Sequence, residues 1–207
     1  MKQIAVDLRC LNYHLLTGVN TYTLHFLYQL WLQKKTKGNL ELIGIGLSSQ
    51  QQTKLSLEFP FFGIMWNQHI SIQDYLCVST KIPIKIINVV VTLDFRLRKK
   101  TRNSKLHEFD LLFLPQPRSL SCNPKTQLVT IFHDLYGALQ PDELNWKQKI
   151  FDNLKLYTII ADDSNVIWVN SISTGLDVQK FLNQSKDKIK LVYPALPTWD
   201  KLRKVVD

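Results

Sequence analysis

Gln127-Leu128-Val129-Thr130-Ile131-Phe132-His133-Asp134-Leu135 is the stretch on which the fold turns. From Leu128 to Phe132 it is apolar or β-branched, without the polar alternation of a half-exposed strand. With Gln127 at its start, a short apolar run of this kind reads as a strand from Gln127 to Phe132 covered on both faces, which is the habit of parallel sheets. At His133-Asp134 the run ends in two polar residues, at what would be the strand's carboxyl end.

Similar runs lie on both sides. Asp110 to Leu114 is a buried strand closed by Pro115 and Pro117, Asn165 to Val169 is another, and Lys188 to Tyr193 is the last, ended by Pro194 and Pro197. Upstream, Ile4 to Leu8 and Leu40 to Leu47 read as the first two strands. Between them Val19, Tyr22, Thr23, Phe26, Leu27, Leu30 and Trp31 recur at helical spacing. Thr17 suits the N-cap of that helix, and Lys34, Lys35 and Lys37 suit a C-terminus closed by Gly38. A second helix face is marked by Trp146, Ile150, Leu154, Tyr157 and Ala161. A third helix opens with the capping-box-like Thr174-Gly175-Leu176-Asp177 and carries Val178, Phe181 and Leu182. Phe61 to Trp66 reads as a strand and Ile70 to Val78 as a helix. Ile84 to Leu93 reads as a β-branched strand, although a buried helix shares that composition.

Strands therefore alternate with helices, and the expected fold is α/β: a single Rossmann-like, doubly wound, mostly parallel sheet. Ligands of such sheets collect beyond the carboxyl ends of the strands, near a topological switch point. Thr17-Gly18 and His133-Asp134 fall at such ends. A glycine opening a helix lets backbone approach a ligand, and the helix's first N–H groups favour an anion; a tight turn before a helix would look the same. A histidine at a strand's carboxyl end can hydrogen-bond a ligand or exchange a proton with it; it can equally be tied to backbone.

Composition sets outer bounds. The 207 residues suit one large domain, with 45% hydrophobic and 21% charged residues, as in an ordinary folded protein. Cys10, Cys77 and Cys122 are too few and too scattered for a disulfide framework or a zinc site and read as reduced thiols. The first apolar run, broken by Asp7 and Arg9, is too short for a signal peptide, and no stretch approaches a membrane span. The expected location is cytoplasmic, with a peripheral membrane position open. Part of the net charge of +9 comes from Arg96, Arg98, Lys99, Lys100, Arg102 and Lys105. This run reads as a solvated loop or as a contact for an anionic membrane surface. It has no interleaved aromatic residue on which bases could stack, so nucleic acid is not the expected partner. No GxGxxG or Walker sequence occurs, which argues against a dinucleotide or P-loop enzyme.

Several segments, taken in order, resemble glycosyltransferase family 4. They are Asp7-Leu8-Arg9 with Thr17-Gly18-Val19-Asn20-Thr21-Tyr22-Thr23, then Phe109 to Pro115, then Thr130-Ile131-Phe132-His133-Asp134-Leu135 with Pro141-Asp142-Glu143. Ala161-Asp162, Val166 to Thr174 and Asp187 to Ala195 follow. Residues 48–108 contribute little, and Thr21 stands where the family often has an arginine.

The resemblance implies the N-terminal, acceptor-side half of a two-domain GT-B enzyme over residues 1–197, with 198–207 beginning a linker. It implies a retaining, metal-independent transfer of a sugar from a nucleotide-sugar to a glycan or lipid-linked acceptor, without a cofactor. His133 would be the catalytic-site residue, while Gly18, Thr17 and Asp134 would line the substrate and donor-phosphate site. The family's donor half carries two glutamates eight apart; here Glu41, Glu58, Glu108 and Glu143 include no such pair. The chain alone is therefore expected not to turn over. Three alternatives stay open: a subunit that pairs with a separate donor-binding chain, a truncated remnant or binding module without activity, and a free-standing Rossmann-like binding protein unrelated to sugar transfer.

Overall fold

A computed structural model of the chain describes residues 1–12, 17–76, 92, 106–144, 149 and 154–193. Among these residues the strands are β1 (Lys2–Asp7), β2 (Leu40–Ile45), β3 (Gln68–Ile70), β4 (Leu111–Leu114), β5 (Gln127–Phe132), β6 (Val166–Val169) and β7 (Ile189–Leu191). They form one sheet in the order β3-β2-β1-β4-β5-β6-β7, and every pairing is parallel. The chain runs outward from β1 to β3, then returns to β4 on the other side of β1. The β1/β4 boundary is thus the switch point of a doubly wound, Rossmann-like sheet.

The helices are α1 (Gly18–Lys37), α2 (Ser49–Glu58), α3 (Pro60–Met65), α4 (Ile72–Tyr75), α5 (Tyr136–Leu139), α6 (Leu154–Asp163) and α7 (Ile172–Leu182). Side chains alternate across the sheet, as the pleat requires. Val6, Leu8, Leu42, Phe113, Val129 and Ile131 face Leu24, Leu27 and Trp31 of α1 and Phe61, Phe62 and Met65 of α3. Ala5, Ile43, Leu112, Leu114, Leu128, Phe132, Ile167 and Val169 face Leu156 and Ile160 of α6 and Val178 and Leu182 of α7. Two cores on opposite faces explain why the strands read as unbroken apolar runs.

Local signals set the helix ends. Thr17 caps α1 by accepting from the Asn20 N–H at 3.2 Å, and Gly38, at φ 65°, closes it by donating to the Lys34 carbonyl. Only a residue without a Cβ adopts that left-handed conformation at little cost. At the far end of the sheet the Lys188 ammonium donates to the Ala161 and Asp162 carbonyls. These belong to the last turn of α6, where a helix leaves carbonyls unpaired and favours a cation.

Three expectations are corrected. Phe61 to Trp66 is not a strand: Pro60 fits the first position of α3, and Phe61, Phe62 and Met65 share its buried face. Ile70 ends strand β3 rather than opening a helix; α4 begins at Ile72 behind the Ser71 cap. The cap of α7 is Ser171, which accepts from the Thr174 N–H at 3.1 Å, so the helix starts earlier than Thr174 suggested. The basic run, most of Ile84 to Leu93 and the segment after Tyr193 lie outside the described residues, as do Cys77, Trp146 and Ile150.

Candidate functional site

The carboxyl edge of the sheet gathers the polar residues singled out in the sequence. Thr17 and Gly18 begin α1 there and are exposed. The first turn of α1 carries no acidic residue, so its N–H groups meet no local negative charge. A Cβ added to Gly18 would have nothing within 4 Å. The fold itself does not require glycine at this position, unlike at Gly38.

His133 follows β5 directly. Its Nε2 lies 2.9 Å from the carbonyl oxygen of Pro115, at the end of β4. A carbonyl only accepts, so Nε2 carries the proton, and in the neutral ring Nδ1 is left as an acceptor. No described residue bonds Nδ1. The Tyr22 ring of α1 meets the imidazole edge-on, with centroids 5.3 Å apart and planes at 82°. The His133 carbonyl accepts from the Thr174 hydroxyl of α7 at 3.1 Å. Burial pushes the imidazole pKa below the ordinary histidine value, outweighing the Pro115 bond and the Asp134 charge, which act upward. At neutral pH the ring is therefore uncharged and suited to accept a hydrogen bond from a hydroxyl.

Asp134 is exposed, and its Oδ1 accepts from the Tyr136 N–H at 3.1 Å. It orders the turn into α5. Tyr136 in turn donates its hydroxyl to the Glu143 carboxylate. The structure thus brings His133 against the helix that Thr17 and Gly18 begin, and gives Asp134 a role in its own loop. No group of three or more metal-ligating side chains lies together among the described residues. No helix among them is long and apolar enough to cross a membrane.

Sequence reasoning missed Tyr22 as a neighbour of His133, because helical spacing marks it only as an inward-facing position. It also missed the Asp7–Arg9 pair. The Arg9 guanidinium grips the Asp7 carboxylate at 2.9 and 2.8 Å, both residues being under 5% exposed. Burial pushes the Asp7 carboxyl up, but the Arg9 charge and hydrogen bonds prevail and hold it below the ordinary value. A charged pair two residues apart at the end of an apolar strand was the available signal. Beside them burial pushes the Cys10 thiol up to about 11, which leaves it inert near neutral pH.

No family model and no curated protein matches the chain. Among solved structures 15 chains match. One is HepE of Anabaena in complex with UDP-glucose, at 11% identity and a TM-score of 0.47, with 95% of this chain and 44% of that one covered. The chain spans less than half the length of that protein. The class defined by strand order and register is a doubly wound, Rossmann-like α/β domain.

Proposed function

We propose that this chain is the acceptor-side half of a GT-B glycosyltransferase of the family 4 type, acting together with a donor-binding half. His133 would accept a hydrogen bond through Nδ1 from the sugar being transferred. The first turn of α1, left open by Gly18, would face the donor phosphates, and Asp134 would shape the loop beside them. Catalysis in this arrangement is mainly orientation plus stabilisation of charge on the leaving phosphate, without metal or cofactor. The acceptor would be a glycan or a lipid-linked sugar, and the net charge of +9 suits a reaction near an anionic membrane surface at the cytoplasmic side.

The observation that carries this reading is the Tyr22–His133 contact. It joins two motifs more than a hundred residues apart, the threonine–glycine helix start and the histidine–aspartate strand end, at the carboxyl edge where such sheets hold ligands. HepE, whose structure contains UDP-glucose, suggests the class of donor to try first.

A non-catalytic binding module remains the second reading. It is favoured by the bond that ties His133 Nε2 to backbone, as a purely structural histidine would be tied. Co-expression with a donor-binding GT-B half, followed by an assay of labelled sugar transfer from a panel of nucleotide-sugars, separates the two. Transfer that depends on both chains is expected. Its absence with every donor, in a folded complex, would leave the binding module.

A further inference from the structure

We infer that Arg9 is a positioning residue for His133, acting through the strap that joins β4 to the loop before β5. The purpose of this positioning rests on the reading of His133 as a ligand contact; its geometry does not. Besides gripping Asp7, Arg9 Nη2 donates to the carbonyl of Ser119 at 3.1 Å. Pro115, whose carbonyl fixes His133 Nε2, lies at the other end of the same strap.

Residues 115–119 are stiff. Pro115 and Pro117 have fixed φ, and the Arg118 N–H donates to the Gln116 carbonyl at 2.8 Å, closing a tight turn. The strap leaves the sheet after Leu114, which is held in register against Thr130 of β5. Its other end is held by Arg9, with Ser119 Oγ also 3.4 Å from Thr92 Oγ1. A short, proline-stiffened segment clamped at both ends presents the Pro115 carbonyl in one place. Releasing one clamp lets that carbonyl, and the imidazole bonded to it, move.

The surroundings are shaped to keep Arg9 where it is. Gly46 follows β2 at φ 78°, and a Cβ there would lie 2.6 Å from Arg9 Cγ. Asn12, at the end of the 3-10 helix Arg9–Asn12, donates to the Gly46 carbonyl at 2.7 Å and accepts from the Ser48 N–H at 2.9 Å. The connections after β1, β2 and β4 thus converge on one arginine side chain. A buried ion pair adds little net stability over a well-packed apolar pair. What arginine adds here is a fork that can hold Asp7 bidentately and still reach Ser119, which a lysine ammonium cannot reproduce.

The test uses the full 207-residue chain and nitrogen NMR of its histidine side chains. In the wild type, His133 should show an Nε2–H protected from solvent exchange. Two variants are compared, Arg9→Lys and the double change Asp7→Leu with Arg9→Met, each checked for native circular dichroism. We expect folded variants in which exchange of the His133 Nε2–H is faster by roughly 3- to 10-fold, the equivalent of about one hydrogen bond. His69, on the far edge of the sheet, should be unchanged. A folded double variant with unaltered His133 protection overturns the inference. So does failure of both variants to fold, since Arg9 would then determine the fold rather than position one side chain. Failure of a folded complex with a donor-binding half to transfer sugar from any nucleotide-sugar would count against the functional reading while leaving this result standing.

Discussion

The carboxyl ends of β1 and β5 stand two strands apart on one edge and treat their polar residues in opposite ways. At β1, Asp7 and Arg9 are sealed from solvent, paired bidentately and bonded onward to Ser119. At β5, His133 is half-buried and held by one nitrogen, and no described residue takes the other. The first arrangement spends its hydrogen-bonding capacity within the protein. The second leaves Nδ1 without a bond among the described residues, the position that the proposed function gives to a ligand. Burial alone does not separate structural from functional polar groups; the count of satisfied donors and acceptors has to be taken together with whether a ligand can reach the group.

The comparison breaks most visibly at Arg9. Arg9→Ala leaves the Asp7 carboxylate buried and unpaired, and should lower unfolding stability by about 3–5 kcal/mol in urea titrations. Removing both charges in Asp7→Leu with Arg9→Met should cost far less. Equal losses in the single and double variants would show that the pair is not the unit.

His133→Ala should act on function rather than folding. If His133 bonds the transferred sugar as proposed, its loss in a complex with a donor-binding half should cost roughly 10²–10³ in rate. The melting temperature should change little, because the lost bond reaches only one backbone carbonyl. A large fall in melting temperature with unchanged rate per folded molecule would move His133 to the structural class, beside Arg9.

His69 on β3 sharpens the same contrast from the opposite extreme. Both its ring nitrogens are buried without a partner among the described residues, as is Trp66 Nε1 next to it. Burial pushes its pKa down to about 4. The unfolded chain, with an ordinary histidine value, binds the proton more readily, so stability is full above about pH 6.5 and is lost as pH falls towards 4. Allowing for the ring's partial exposure, the loss is on the order of 1 kcal/mol. Melting curves of wild type and His69→Phe at pH 7 and pH 4.5 should diverge by that amount, with wild type the more acid-sensitive. Parallel curves would place the acid sensitivity elsewhere.

The smallest expected effect is at Gly18. An alanine there has open space, so Gly18→Ala should leave stability unchanged or raise it by up to about 1 kcal/mol. If the helix start meets donor phosphates, the same change should weaken nucleotide-sugar binding. Unchanged binding would remove Gly18 from the site.

Much of this was legible in the sequence where one signal dominated. Gln127 to Phe132 was read with its observed bounds, because an apolar run flanked by polar residues has one simple explanation in an α/β chain. Thr17 and Gly38 fixed α1 because both caps are stated by residue type. Phe61 to Trp66 was misread because its aromatic residues serve strand and helix equally, and only the proline at the first turn of α3 decides. The site was half legible. His133 stood out at a strand end, but its partners Tyr22, Pro115 and Thr174 come from three other parts of the chain. Long-range contacts of that kind leave no local pattern. Arg9 read only as a break in the first apolar run and as part of Asp7-Leu8-Arg9, and its bond to Ser119 spans 110 residues.

The most direct test of the central claim is an NMR titration of the chain, bound to a donor-binding half, with a panel of nucleotide-sugars, following the backbone of Thr17 and Gly18 and the ring of His133. The account predicts saturable shifts at all three with at least one donor, a new bond at His133 Nδ1, and none at His69. Shifts confined to other surfaces, or no response at His133 to any member of the panel, would contradict it.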